Sequence, residues 1–78
     1  MSIQVKLFGD LGKTFPRQLE LDYEGGLTPD KIIAQLQIDR EKAALILVNG
    51  QSKPLEEILQ QELQDGDVVT IMSMLDGG

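Results

Sequence analysis

The chain has 78 residues, 41% hydrophobic and 26% charged, enough for one domain that buries only about 60% of its unfolded surface. Cysteine and histidine are both absent, which excludes disulfides, thiolate metal sites, a cysteine nucleophile and the commonest general base, and leaves a poor inventory for an enzyme. The net charge of −6 repels phosphate backbones, so no nucleic-acid partner is expected, and a basic protein surface is the better complement.

Ile3-Gln4-Val5-Lys6-Leu7-Phe8 alternates until its end, with Ile3, Val5 and Leu7 on one face, the signature of a half-buried strand. Gln4 and Lys6 also interrupt the only apolar stretch near the start, so no signal peptide is expected. No run elsewhere approaches the ~20 apolar residues that span a bilayer, and a cytoplasmic protein with no membrane association is expected. Gly9-Asp10 ends the strand, and Gly12-Lys13-Thr14-Phe15-Pro16 reads as a loop. Gln18 to Tyr23 alternates again, with Leu19, Leu21 and Tyr23 together, a second strand paired with the first as a hairpin.

Glu24-Gly25-Gly26 is a turn. Thr28 then suits a helix cap, Pro29 the first helical position and Asp30 the positive end of the helix dipole. Ile32, Ile33 and Leu36 form the apolar stripe of this short helix, which fades by Gln37. Asp39-Arg40-Glu41-Lys42 is a solvated connection. Ala44 to Val48 is a third, wholly apolar strand, followed by the hairpin signal Asn49-Gly50. Pro54 to Leu63 predicts a second short helix, with Leu55, Ile58, Leu59 and Leu63 as its stripe. Asp65-Gly66-Asp67 turns the chain into a last strand, Val68 to Met72.

Strand, strand, helix, strand, small helix, strand describes an α+β domain with its main helix on one face of the sheet. The expected boundaries are a domain over residues 1–72 and a flexible tail over 73–78. The first and last strands are expected as neighbours in the middle of the sheet.

This order of elements resembles the ubiquitin-like β-grasp fold, a mixed sheet of four to five strands. Val48-Asn49-Gly50, then Leu63 to Ile71 around Asp65-Gly66-Asp67, then the spacing to Gly77-Gly78 are similar to the MoaD and ThiS sulfur carriers of molybdenum-cofactor and thiamine biosynthesis. The longer connection between the first two strands resembles the MoaD branch, the small subunit of molybdopterin synthase. The chain departs from molybdopterin-type carriers in having Met72-Ser73-Met74 where Phe-Pro-Pro usually precedes the glycines. Its helix from Pro54 to Leu63 is also longer than the usual turn there.

The resemblance implies a carrier with no bound cofactor and no metal, and with no catalytic residue of its own. An E1-like adenylating enzyme of the MoeB or ThiF type would use ATP to form a glycyl adenylate at Gly78. A sulfur donor would convert it to a C-terminal thiocarboxylate (1-thioglycine), delivered within a sulfur-accepting synthase subunit. Molybdopterin, or its tungsten counterpart, is preferred to thiamine as the end use. Met74, Leu75, Asp76, Gly77 and Gly78 form the tail. Glycine suits its end, because it threads a narrow channel and leaves the terminal carbonyl unobstructed.

Period 2 in the last strand sends Val68, Thr70 and Met72 away from the helix if Val69 and Ile71 face it. Burying Ile46 and Val48 likewise turns Leu45 and Leu47 outward. An apolar outer face marks a partner surface, and ubiquitin-like proteins dock through that face. The free protein is expected to be a monomer.

Other features carry less. Gly12-Lys13-Thr14 matches the end of a phosphate-binding loop, but that pattern needs glycine where Leu7 stands. Asp65-Gly66-Asp67 lacks the further ligands and closing Glu of a calcium loop and reads as a tight turn. Glu56 and Glu57, adjacent on a helix, point apart into solvent. Two rival functions remain: a protein modifier joined through the same glycine to target lysines, and a plain interaction module.

Overall fold

The computed structural model describes residues 1–9 and 16–73. Among these are β1 (Ser2–Phe8), β2 (Gln18–Asp22), α1 (Pro29–Gln35), a 3₁₀ turn (Arg40–Lys42), β3 (Leu45–Val48), β4 (Gln51–Ser52), α2 (Leu55–Leu59) and β5 (Val68–Met72). The strands form one five-stranded sheet in the order β2-β1-β5-β3-β4. β1 and β5 lie at its centre and run parallel, while β2 flanks β1 and β3 flanks β5 in antiparallel fashion. This is the α+β, ubiquitin-like β-grasp arrangement that the sequence predicts.

Register explains the core. Leu19, Val5, Val69 and Val48 lie in one row across four strands, and Leu7, Ile71 and Ile46 in the next. Their side chains share one face, and Ile32 and Ile33 of α1 and Ile58 and Leu59 of α2 join them in a buried cluster, against which the half-buried Leu19 packs. Each fully buried aliphatic side chain contributes about 1.5–3 kcal/mol.

The helix starts where its sequence says. The Thr28 hydroxyl accepts from the Lys31 amide at 3.3 Å, Pro29 opens the first turn, and Asp30 pairs with Arg40. It ends at Gln35 because the next residues close a Schellman motif. The Gln37 amide donates to the Ala34 carbonyl at 3.1 Å, and the Ile38 amide to the Ile33 carbonyl at 2.9 Å. Gln37 takes the left-handed conformation (φ 59°) usually filled by glycine there.

The second helix is shorter than the apolar spacing predicts. It stops at Leu59, not Leu63, because its last turn tightens: the Gln60 and Gln61 amides reach back only to Glu57 and Ile58. The Leu63 amide instead donates to the Leu27 carbonyl at 2.8 Å, which draws Leu63 into the core without a helix. Leu55, expected on the buried stripe, is exposed.

Asn49 and Gly50 both have positive φ, at 53° and 79°, as a tight hairpin between β3 and β4 requires. The turn before β5 is locked to that hairpin. The Asp67 carboxylate accepts from the Gln64 amide and from the Asn49 side-chain amide, both at 2.9 Å. The Asn49 side-chain oxygen accepts from the Val68 amide at 2.9 Å, and the Asn49 amide donates to the Val68 carbonyl at 2.8 Å. Asn49-Gly50 and Asp65-Gly66-Asp67 are therefore two halves of one clasp holding β3 against β5. Asp67→Ala removes both carboxylate bonds and is expected to cost about 1–3 kcal/mol, read as a lower urea midpoint with unchanged slope. Unaltered stability would show that the clasp contributes nothing.

Candidate functional site

The face of the sheet opposite the core is set by the same alternation. Phe8, Met72 and Leu45 lie in one row across β1, β5 and β3. Phe8 is 42% exposed, Leu45 41% exposed and Met72 half-buried. The next row places Lys6, Thr70 and Leu47 side by side, and the one after it Gln4 beside Val68. Leu47, Thr70 and Val68 are all half-buried. Toward β2 the face turns polar, since Gln18, Glu20 and Asp22 occupy the outward positions. The most exposed apolar side chains, Phe8 and Leu45, thus flank Met72 at the end of β5 from which the chain leaves the sheet.

All five residues expected on this face, Leu45, Leu47, Val68, Thr70 and Met72, point away from the core. Leu45 stands directly across from Met72, with Leu47 one diagonal step away. Phe8 completes the row. The alternation of β1 that buries Val5 and Leu7 places Phe8 outward with Gln4 and Lys6, a signal present in the sequence but unused.

The end of β5 is held on both flanks. On the β3 side the Met72 carbonyl accepts from the Ala44 amide at 2.9 Å. On the β1 side the Phe8 carbonyl accepts from the Ser73 amide at 3.2 Å and from the Ser73 hydroxyl at 3.3 Å. Ser73, expected as the first residue of a flexible tail, is anchored to β1. Met74, Leu75, Asp76, Gly77 and Gly78 lie outside the described residues, as does Gly12-Lys13-Thr14.

Among the described residues, no cluster of three or more Asp, Glu, His or Cys side chains is placed to hold a metal ion. The two oxygens of Asp67 are already engaged by Asn49 and Gln64. Chelators and reductants are therefore expected to leave the thermal midpoint unchanged. A midpoint that falls on adding EDTA would assign an ion to Asp65-Gly66-Asp67. No helix among the described residues is long and apolar enough to cross a membrane.

Comparison with known proteins places this geometry. The profile of the ThiS family matches residues 5–78. Among solved structures, SAMP1 from Haloferax volcanii is similar over 100% of both chains, with a TM-score of 0.74 and 20% identity. Urm1 from Trypanosoma brucei matches over 99% of this chain and 95% of its own, with a TM-score of 0.70 and 23% identity. A protein–protein complex of subunits 1 and 2 of the molybdopterin-converting factor from Helicobacter pylori 26695 contains a chain similar over 100% of both lengths, with a TM-score of 0.61 and 22% identity. At these identities the structures show a shared fold. A search of curated protein sequences finds no match.

Proposed function

The chain belongs to the ThiS family, whose members are small carrier proteins and not enzymes, and from that premise we propose that it carries sulfur on the carboxylate of Gly78. The observation that carries this reading is the family match itself, which runs from β1 through Gly77-Gly78. The structure supports it with an apolar row, Phe8-Met72-Leu45, beside the strand end that leads to those glycines.

A carboxylate resists nucleophiles because its departing oxygen would leave as oxide. Attack of a Gly78 carboxylate oxygen on the α-phosphate of ATP, with loss of pyrophosphate, makes a glycyl adenylate from which AMP is a good leaving group. A persulfide-type sulfur donor then displaces AMP, and cleavage of its S–S bond by a thiol or other reductant leaves the thiocarboxylate. An E1-like enzyme would supply the adenylating site, and a synthase subunit would accept the sulfur. The protein's own part is to present a side-chain-free terminus and a surface that positions it.

The favoured acceptor is a molybdopterin synthase subunit rather than a thiamine-forming enzyme. The long connection from Gly9 to Arg17 between β1 and β2 supports that choice, and a molybdopterin-converting factor is among the similar structures. Incubation with the E1-like enzyme of the same organism, ATP and labelled pyrophosphate is expected to give exchange that depends on this protein. Exchange independent of it would remove the reading.

A further inference from the structure

We infer that Gly9 is a positioning residue that aims the end of β5, and so the Gly78 carboxylate, at the activating enzyme; this rests on the carrier reading above. Gly9 follows directly on β1 with φ +75°. Its neighbour Phe8 supplies the carbonyl that holds both the amide and the hydroxyl of Ser73. A Cβ at position 9 would lie 2.5 Å from the Ser73 carbonyl oxygen, 2.7 Å from its hydroxyl oxygen and 3.3 Å from its carbonyl carbon.

The nearest of these atoms is backbone, so no side-chain rotation relieves the contact. Either Ser73 moves or β1 does. β1 is fixed by pairing to both β2 and β5, with Ile3, Val5 and Leu7 fully buried. Ser73 lies just past Met72, where β5 and its register with β1 end, and is the part able to yield. No other glycine among the described residues makes so close an approach. A Cβ at Gly25, Gly50 or Gly66 would meet nothing within 4 Å, and one at Gly26 only the Lys31 ammonium at 3.7 Å.

Gly9 thus permits one more rung of parallel pairing beyond Met72 and fixes the point and direction at which the chain departs. Gly78 follows Ser73 by five residues, a reach of at most about 18 Å. With the domain docked through its outer face, a displaced Ser73 would deliver the carboxylate to the wrong place. Misplacement by about 1 Å in an enzyme site costs as much as 10²-fold in rate.

Gly66 provides the control. It has φ +88° and open space around its missing Cβ, so Gly66→Ala imposes a comparable backbone strain without touching Ser73. Gly9→Asn is the companion to Gly9→Ala, because asparagine tolerates the left-handed region yet still presents a Cβ to Ser73. In exchange assays with the cognate E1-like enzyme, folded Gly9 variants are expected to lose at least about tenfold in kcat with KM within about twofold. Gly66→Ala should keep both constants near wild type although its melting midpoint falls. Hydrogen exchange at the Ser73 amide of the free protein should accelerate in Gly9→Asn and not in Gly66→Ala.

Folded Gly9 variants with wild-type kcat would overturn the inference and leave the carrier reading standing. Wild-type protein that supports no exchange would remove the carrier reading and the inference with it. The Ser73 amide would in that case still report whether Gly9 shapes the strand end.

Discussion

Removal of Gly78 is expected to abolish carrier-dependent pyrophosphate exchange, a loss of at least about 10²-fold, while the thermal midpoint stays at the wild-type value. The shortened chain still ends in glycine and still offers a carboxylate, so intrinsic reactivity is unchanged. What changes is reach. Each residue contributes at most about 3.3–3.6 Å along an extended chain, as long as the whole distance over which reacting atoms must meet, about 3–3.5 Å. With Ser73 anchored to β1, the sheet does not slide outward to restore that distance. Adding one residue after Gly78 should fail for the converse reason, since the carboxylate overshoots. The core draws on residues from Ile3 to Ile71, so neither change should reach the melt. Normal exchange by the shortened protein would remove Gly78 as the site of chemistry.

Phe8→Glu and Leu45→Glu are each expected to weaken binding to the activating enzyme tenfold or more, which is at least about 1.4 kcal/mol. Both side chains are about two-fifths exposed and flank Met72 on the outer face. Covering such a side chain with a partner contributes up to about 1.5–3 kcal/mol. A glutamate there must instead be desolvated against an apolar surface. In the free protein the new carboxylate remains in water, so stability should change by no more than about 0.5 kcal/mol, as for ordinary surface substitutions. Leu47 and Met72 make less discriminating probes, because both are half-buried and a charge at either disturbs the sheet as well as the interface. Calorimetric titrations alongside melts read both quantities. Wild-type affinity in both variants would place the partner on another surface.

The sequence makes the sheet legible because β1, β3 and β5 alternate, or run wholly apolar, between clear turn signals. Inside and outside followed from parity for Ile46 and Leu47, and for Ile71 and Met72. The second helix was only half legible: Leu59 and Leu63 are spaced as on a helix, yet Leu63 is buried by a bond to Leu27, a contact that no local pattern encodes. The motif residues Asn49 and Asp67 stood out, but their meeting across the sheet did not, since it depends on how β3 and β5 pair. Gly9 was visible only as a strand breaker. Its approach to Ser73 joins opposite ends of the chain and exists only once β1 and β5 lie side by side.

The most direct test of sulfur carriage is the intact mass of the protein after incubation with ATP, the E1-like enzyme and a sulfur donor. Exchange of one oxygen for one sulfur, located at Gly78 by fragmentation and absent when ATP is omitted, is the predicted result. An unchanged mass with an active enzyme and donor would contradict it, as would adducts confined to target lysines.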